Sequence, residues 1–118
     1  MSTIALRRGD VALVYFPSSD LIHIKLRPVL VVQADELNTG IPQLLVAMIS
    51  SNLQRAGHPA RVLLPLCDPG STGTGLKLDS VVMGDNLATV TASLFQARIG
   101  RVPDLTRIDQ ALRTALGL

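Results

Sequence analysis

The stretch Lys25-Leu26-Arg27-Pro28-Val29-Leu30-Val31-Val32 sets two cations ahead of a proline and a run of β-formers. A guanidinium is planar and permanently charged, and its N–H groups match phosphate oxygens two at a time. Arg27 therefore has two readings: a solvated cation at the start of a strand, with Pro28 marking an edge or first position, or an anion clamp suited to the charge of a phosphorane. A clamp needs a hydroxyl or a second cation beside it. Ser50 offers the hydroxyl, because it ends the apolar run LLVAMIS where the polar SSN begins; its plainer reading is a turn former at a strand end. His23 and Asp20, in the loop leading to Arg27, are either proton acceptors near neutral pH or solvated loop residues.

Other chemistries find less material. The imidazoles are His23 and His58 and the thiol is Cys67, none at ligand spacing from another, so no zinc site and no cofactor is expected. Asp79 and Asp85 lie close in sequence around a strand, without further carboxylates to complete a magnesium site. The absence of a Gly-x-Ser-x-Gly elbow disfavours a conventional serine hydrolase. The segment CDPGSTGTG, Cys67 to Gly75, has the glycines to cradle a phosphate but lacks the Lys-Ser ending of a P-loop and opens no helix, so a flexible connection is expected. Arg8-Gly9-Asp10, directly before a strand, reads as a turn.

The chain that must position these groups has 118 residues, enough for one domain with a core, taken as residues 1–118. Apolar residues make up 47% and charged residues 17%, the balance of a folded chain rather than a disordered one. A single cysteine rules out an intrachain disulfide framework and fits a reducing, cytoplasmic setting. No uninterrupted apolar run is longer than the six residues of Leu44 to Ile49, against the roughly 18 of a membrane helix, so no membrane span is expected. In MSTIALRRGD the arginines follow a short apolar patch, the reverse of a secretion signal. Net charge is +2, with Arg7, Arg8, Arg27, Arg55, Arg61, Arg98 and Arg101 spread along the chain, and anionic partners fit. With one Tyr, two Phe and no Trp, stacking platforms for bases are scarce, so nucleic acid would be held through its phosphates.

Short β-branched runs recur between turn signals at Val11–Phe16, Pro28–Gln33, Leu44–Ser51, Arg61–Leu66, Ser80–Met83 and Leu87–Thr91. Loops are expected at Pro17–Leu26, Asp35–Pro42 and Asn52–Ala60. No helical pattern separates the strands, which favours a small, strongly bent barrel or sandwich over a parallel α/β sheet. The exception is PDLTRIDQALRTALGL, where Leu105, Ile108, Leu112 and Leu116 share one helical face. Asp104 is the expected N-cap, Asp109 and Arg113 an i,i+4 pair, and Gly117 the stop. The apolar stripe is expected to cover the open side of the barrel.

In order along the chain, RRGDVALVYFPSSDLIHIKLRPVLVV, LLVAMISSN and GLKLDSVVMGDNLATVTASLFQARIGRVPD resemble the MazF/PemK family of toxin endoribonucleases from type II toxin–antitoxin modules. The resemblance runs from Gly9 to the final helix. Its most specific parts are Gly-Asp-Val, Arg-Pro-Val-Leu-Val-Val, Asp-Ser-Val-Val and the Ile-Gly-Arg before the helix. It implies a mainly β fold, a small Src-homology-3-like β-barrel with a C-terminal α-helix. It also implies a homodimer that cleaves single-stranded RNA without a metal, and a cognate antitoxin whose C-terminal peptide competes for the RNA groove. Operator DNA would be met only through that antitoxin.

By the same resemblance, the arginine of the Arg-Pro motif, here Arg27, is catalytic, and the threonine that ends the third long strand is replaced by Ser50. Serine keeps the hydroxyl but loses the methyl that would fix its rotamer. The acid of an Asp-Gln pair matches Asp85, a possible catalytic or substrate-contacting residue, with Asn86 in place of the glutamine. Arginines found in the family two residues before that acid and in a following Arg-Thr pair are Met83 and Ala88 here. The implied reaction is attack of the RNA 2′-hydroxyl on the adjacent phosphate, leaving a 2′,3′-cyclic phosphate and a 5′-hydroxyl. Arg27 would stabilise charge, Ser50 would orient the phosphate, and Lys25, Arg55 and Asn86 would contact RNA. No residue is matched to the base, for which His23 is the chemically motivated candidate. The missing cations at Met83 and Ala88 motivate an alternative: a catalytically weak or inactive barrel that binds nucleic acid or an antitoxin peptide.

Overall fold

The computed structural model describes residues 4–17 and 22–118. Six strands form one antiparallel sheet: β1 Asp10–Pro17, β2 Ile24–Val31, β3 Gln43–Ser50, β4 Arg61–Leu64, β5 Ser80–Thr91 and β6 Phe95–Arg101. A helix, α1, follows at Thr106–Leu116. The order across the sheet is β4-β5-β3-β2-β1-β6. Because side chains alternate along a strand, Val11, Leu30, Ala47 and Val82 are buried on one face beneath Ile108 and Ala111 of α1. Ala12, Val29, Val46 and Phe95 belong to a second cluster on the other. Burial on both faces explains why the strands read as continuous apolar runs. Each fully buried Val or Leu contributes about 1.5–3 kcal/mol.

Several expectations are corrected. The strand expected from Pro28 begins at Ile24, because β1 keeps pairing with it through Phe16–Lys25 and Pro17–Ile24. The strands expected at Ser80–Met83 and Leu87–Thr91 are one strand interrupted by a bulge. Met48 pairs with Met83 and Ala47 with Leu87, leaving Gly84, Asp85 and Asn86 outside the ladder. A Cβ on Gly84 would lie 2.6 Å from the Ala60 carbonyl oxygen, so only glycine lets the chain close over this bulge. No strand is expected at β6, whose alternation of Phe95, Ala97 and Ile99 with Gln96 and Arg98 is broken by two irregularities against β1.

The segment expected to be a flexible connection is packed. Thr74 is 1% exposed, the Arg101 N–H donates to the Gly73 carbonyl at 2.8 Å, and a Cβ on Gly100 would stand 2.3 Å from that same oxygen. The loop from β4 to β5 thus reaches β6, bridging the two ends of the strand order. The Arg8-Gly9 turn forms as expected, closed by the Asp10 N–H on the Arg7 carbonyl at 3.0 Å.

Asp104 stands one residue ahead of the N-cap, Leu105, yet its Oδ1 accepts the Thr106 N–H at 3.0 Å and so still satisfies a first-turn donor. Asp109 goes to a tertiary partner, Arg8, rather than to Arg113; Nη2 to Oδ1 is 2.6 Å. Leu105, Ile108 and Leu112 pack against the sheet, whereas Leu116 is exposed. Gly117 ends the helix at φ 72, the left-handed region that glycine adopts without strain. Among the described residues, no helix is long and apolar enough to cross a membrane.

Candidate functional site

β2 and β3 pair over a short stretch, Val29–Val31 with Val46–Met48. The ladder ends beside Pro28, which has no N–H to extend it. There a cleft of about 530 Å³ opens, lined by Arg27 and Pro28 of β2, Ser50 of β3, Lys77 in the loop into β5, and Asn86 of the bulge. Continued past Val29–Met48, the register sets Arg27 across from Ser50. Opposed residues of antiparallel strands point to the same side, so strand pairing and the break at Pro28 together aim the guanidinium and the hydroxyl into one space.

Ser50 is held without the methyl of a threonine. Its Oγ accepts the Asn52 N–H at 3.1 Å, and Asn52 Oδ1 accepts the Gln54 N–H at 3.1 Å. A serine hydroxyl has one proton and two lone pairs. Accepting from the backbone fixes the oxygen and leaves its proton to be donated to an anion in the cleft.

Among the described residues, no Asp or Glu lines this cleft. Among the described residues neither Arg27 nor Lys77 has an ion-pair partner. The two acids nearest in sequence to the cleft's lining are engaged elsewhere. Asp79 accepts the Leu66 N–H at 2.7 Å. Asp85 is gripped in two places by Arg61, Nε to Oδ1 at 3.2 Å and Nη2 to Oδ2 at 2.8 Å. The Arg61 hydrogen bond, outweighing desolvation, holds the Asp85 carboxyl below its usual range. Through Nη1, Arg61 also donates to the Arg55 carbonyl at 3.2 Å.

Of the residues singled out from the sequence, the structure brings Arg27, Ser50 and Asn86 together in the cleft. Lys25 is exposed two residues along β2, on the same strand face as Arg27 but outside the lining. Arg55 ends the short 3-10 turn Leu53–Arg55, also outside it. Asp85 is committed to Arg61, and His23 is exposed just ahead of β2, outside the lining. Asp20 lies outside the described residues. Met83, 4% exposed, and Ala88, packed on the second core cluster, do not line the cleft. Sequence reasoning missed Lys77: its only signal was a cation beside the glycine-rich segment, and nothing local says which strand end that loop faces. No group of three His, Cys, Asp or Glu among the described residues is arranged to hold a metal ion.

Residues 7–116 match the family described as PemK-like, MazF-like toxin of type II toxin-antitoxin system. The chain belongs to this family. A relative within reach of the PemK/MazF-like chain is the endoribonuclease MazF6 of Mycobacterium tuberculosis, 35% identical over 105 residues that cover 86% of this chain and 88% of the relative. The endoribonuclease EndoA of Bacillus subtilis is 30% identical over 121 residues, covering 96% of each. Among solved structures, an endoribonuclease in complex with its cognate antitoxin from a mycobacterial species matches with a TM-score of 0.74 at 25% identity, over 97% of each chain. The MazE–MazF structure from Deinococcus radiodurans, at 19% identity and a TM-score of 0.70, shares the fold.

Proposed function

We propose that this PemK/MazF-like toxin is an endoribonuclease that cleaves single-stranded RNA. The observation that carries the reading is the cleft into which β2 and β3 direct Arg27 and Ser50, lined by no Asp or Glu among the described residues. The names of its relatives support it, since MazF6 and EndoA are endoribonucleases. A phosphodiester seated in the cleft meets a guanidinium suited to its oxygens and a hydroxyl with a proton to donate. In the proposed reaction the RNA's own 2′-oxygen gives up its proton to solvent and bonds to phosphorus while the bond to the 5′-oxygen breaks and that oxygen takes up a proton from solvent, leaving a 2′,3′-cyclic phosphate and a 5′-hydroxyl. Arg27 stabilises the charge that develops on the phosphorane and hydrogen-bonds the departing 5′-oxygen. Ser50 orients a non-bridging oxygen. The route uses no protein nucleophile and no metal.

The wider reading follows the family: one domain, a small Src-homology-3-like barrel closed where the β4–β5 loop meets β6, acting in the cytoplasm as a homodimer. A cognate antitoxin would lay its C-terminal peptide in the same groove, and operator DNA would be reached only through that antitoxin. The mycobacterial endoribonuclease bound to its antitoxin supports the partner. Expression of the chain without an antitoxin is expected to arrest growth, and Arg27→Ala to relieve the arrest. Equal arrest by an equally abundant Arg27→Ala protein would sink the assignment of Arg27.

A further inference from the structure

The family resemblance expects cations at the positions of Met83 and Ala88, and their absence implies a loosened hold on substrate. The cleft nevertheless contains a second cation, contributed by a different element. We infer that Lys77 is a substrate-positioning residue that binds RNA phosphate in the cleft alongside Arg27, an inference that rests on the RNA-cleaving reading above.

Lys77 lines the cleft together with Arg27 and Ser50. Its neighbour Asp79 is tied to the Leu66 N–H at 2.7 Å, and among the described residues Lys77 has no carboxylate partner. The backbone that carries it is anchored on both sides. The Leu76 N–H donates to Thr74 Oγ1 at 3.3 Å, and the Leu76 side chain packs on the core. On the far side the buried Ser80 donates its hydroxyl proton to the Leu78 carbonyl at 2.8 Å. A lysine side chain otherwise samples many rotamers, so a fixed root narrows the volume its ammonium visits to the mouth of the cleft.

Lys77 reaches the cleft from the loop that is anchored at β6 and runs into β5, whereas Arg27 projects from β2, so the two cations approach a bound RNA strand from separate elements. A compact ammonium serves as a point charge there, where Arg27 provides the planar fork.

The test is binding of a uniformly 2′-O-methylated single-stranded oligonucleotide, which cannot undergo 2′-hydroxyl attack. Binding is measured across a salt series for the wild type, Lys77→Met and Lys77→Arg, alongside kcat and KM on ordinary RNA. Lys77→Met is expected to weaken binding about tenfold at low salt and to flatten the log–log salt slope by about 0.7, the change for one lost phosphate contact on a single strand. KM should rise while kcat holds, the pattern of a lost uniform binding contact, and Lys77→Arg should restore both. If the wild type cleaves RNA and Lys77→Met keeps the wild-type affinity and slope, the role of Lys77 is overturned while the nuclease reading stands. If the wild type binds the probe but leaves ordinary RNA intact, the nuclease reading fails, and the slope of Lys77→Met still decides whether Lys77 grips phosphate. Absence of any binding by the wild type overturns the inference as well.

Discussion

Arginines at the β1–β6 end of the sheet and the cations of the β2–β3 cleft have opposite surroundings. At the first, the Asp10 side chain, 4% exposed, receives Arg98 Nε and Arg101 Nη1 at 3.1 Å each and the Arg7 N–H at 2.8 Å. Arg8 close by is matched by Asp109. In the cleft, Arg27 and Lys77 meet no acid among the described residues. Residue type does not separate the two regions; counter-charge does. A guanidinium whose charge is balanced inside the chain ties elements together, while one left unbalanced in a cleft attracts an anion from solution.

Substitutions in the two regions should move different observables. Arg27→Ala is expected to lower single-turnover cleavage by about 10²–10³, the usual loss for removing one electrostatic stabiliser. Its unfolding free energy should stay within about 0.5 kcal/mol of wild type. A stability loss with turnover intact would place Arg27 among the structural arginines.

Asp10→Asn should do the reverse, costing about 2 kcal/mol of stability. That figure is discounted because Arg98 and Arg101 remain nearly half exposed and screened. RNA affinity should not fall. Burial alone would raise the Asp10 pKa, but the Arg7 N–H and the Arg98 and Arg101 guanidiniums outweigh it and hold the carboxyl below its usual value. A depressed folded-state pKa stabilises the fold fully above the unfolded value of about 3.9 and is lost as pH falls through the folded one. Urea midpoints of wild type and Asp10→Asn should therefore converge at acid pH; a constant gap would mean that the pair carries no such linkage.

Smaller effects are expected within the cleft and on the helix. Ser50→Ala should reduce turnover about tenfold, the scale of one hydrogen bond to a charged group, whereas Ser50→Thr, which keeps the oxygen that Asn52 holds, should remain close to wild type. Smallest of all, Asp109→Asn should shift stability by no more than about 1 kcal/mol and leave cleavage rates unchanged; calorimetry and a rate assay separate the two.

Legibility in the sequence followed the range of the interactions. The strand runs at Leu44–Ser51 and Arg61–Leu66, and the helix stripe with its glycine stop, are local patterns, and they match β3, β4 and α1 within two residues at the strand ends. β6 was obscured because its irregularities exist only against β1. The start of β2 was hidden because Pro28 reads as a beginning, although β1 pairs on past it. Arg27 and Ser50 stood out through residue type and through the family resemblance. The commitment of Asp85 to Arg61 depends on the bulge at Gly84–Asn86, and the place of Lys77 on a loop anchored at β6. Asp109 likewise has a near neighbour in sequence that suggests one partner and a distant one that supplies another.

The most direct measurement incubates the purified wild-type chain with end-labelled single-stranded RNA in EDTA and analyses the new termini. The account predicts fragments ending in 2′,3′-cyclic phosphate and beginning with 5′-hydroxyl, and none from DNA of the same sequence. Tight binding without cleavage would contradict it in favour of an inactive binder, and 5′-phosphate ends would contradict attack by the 2′-hydroxyl.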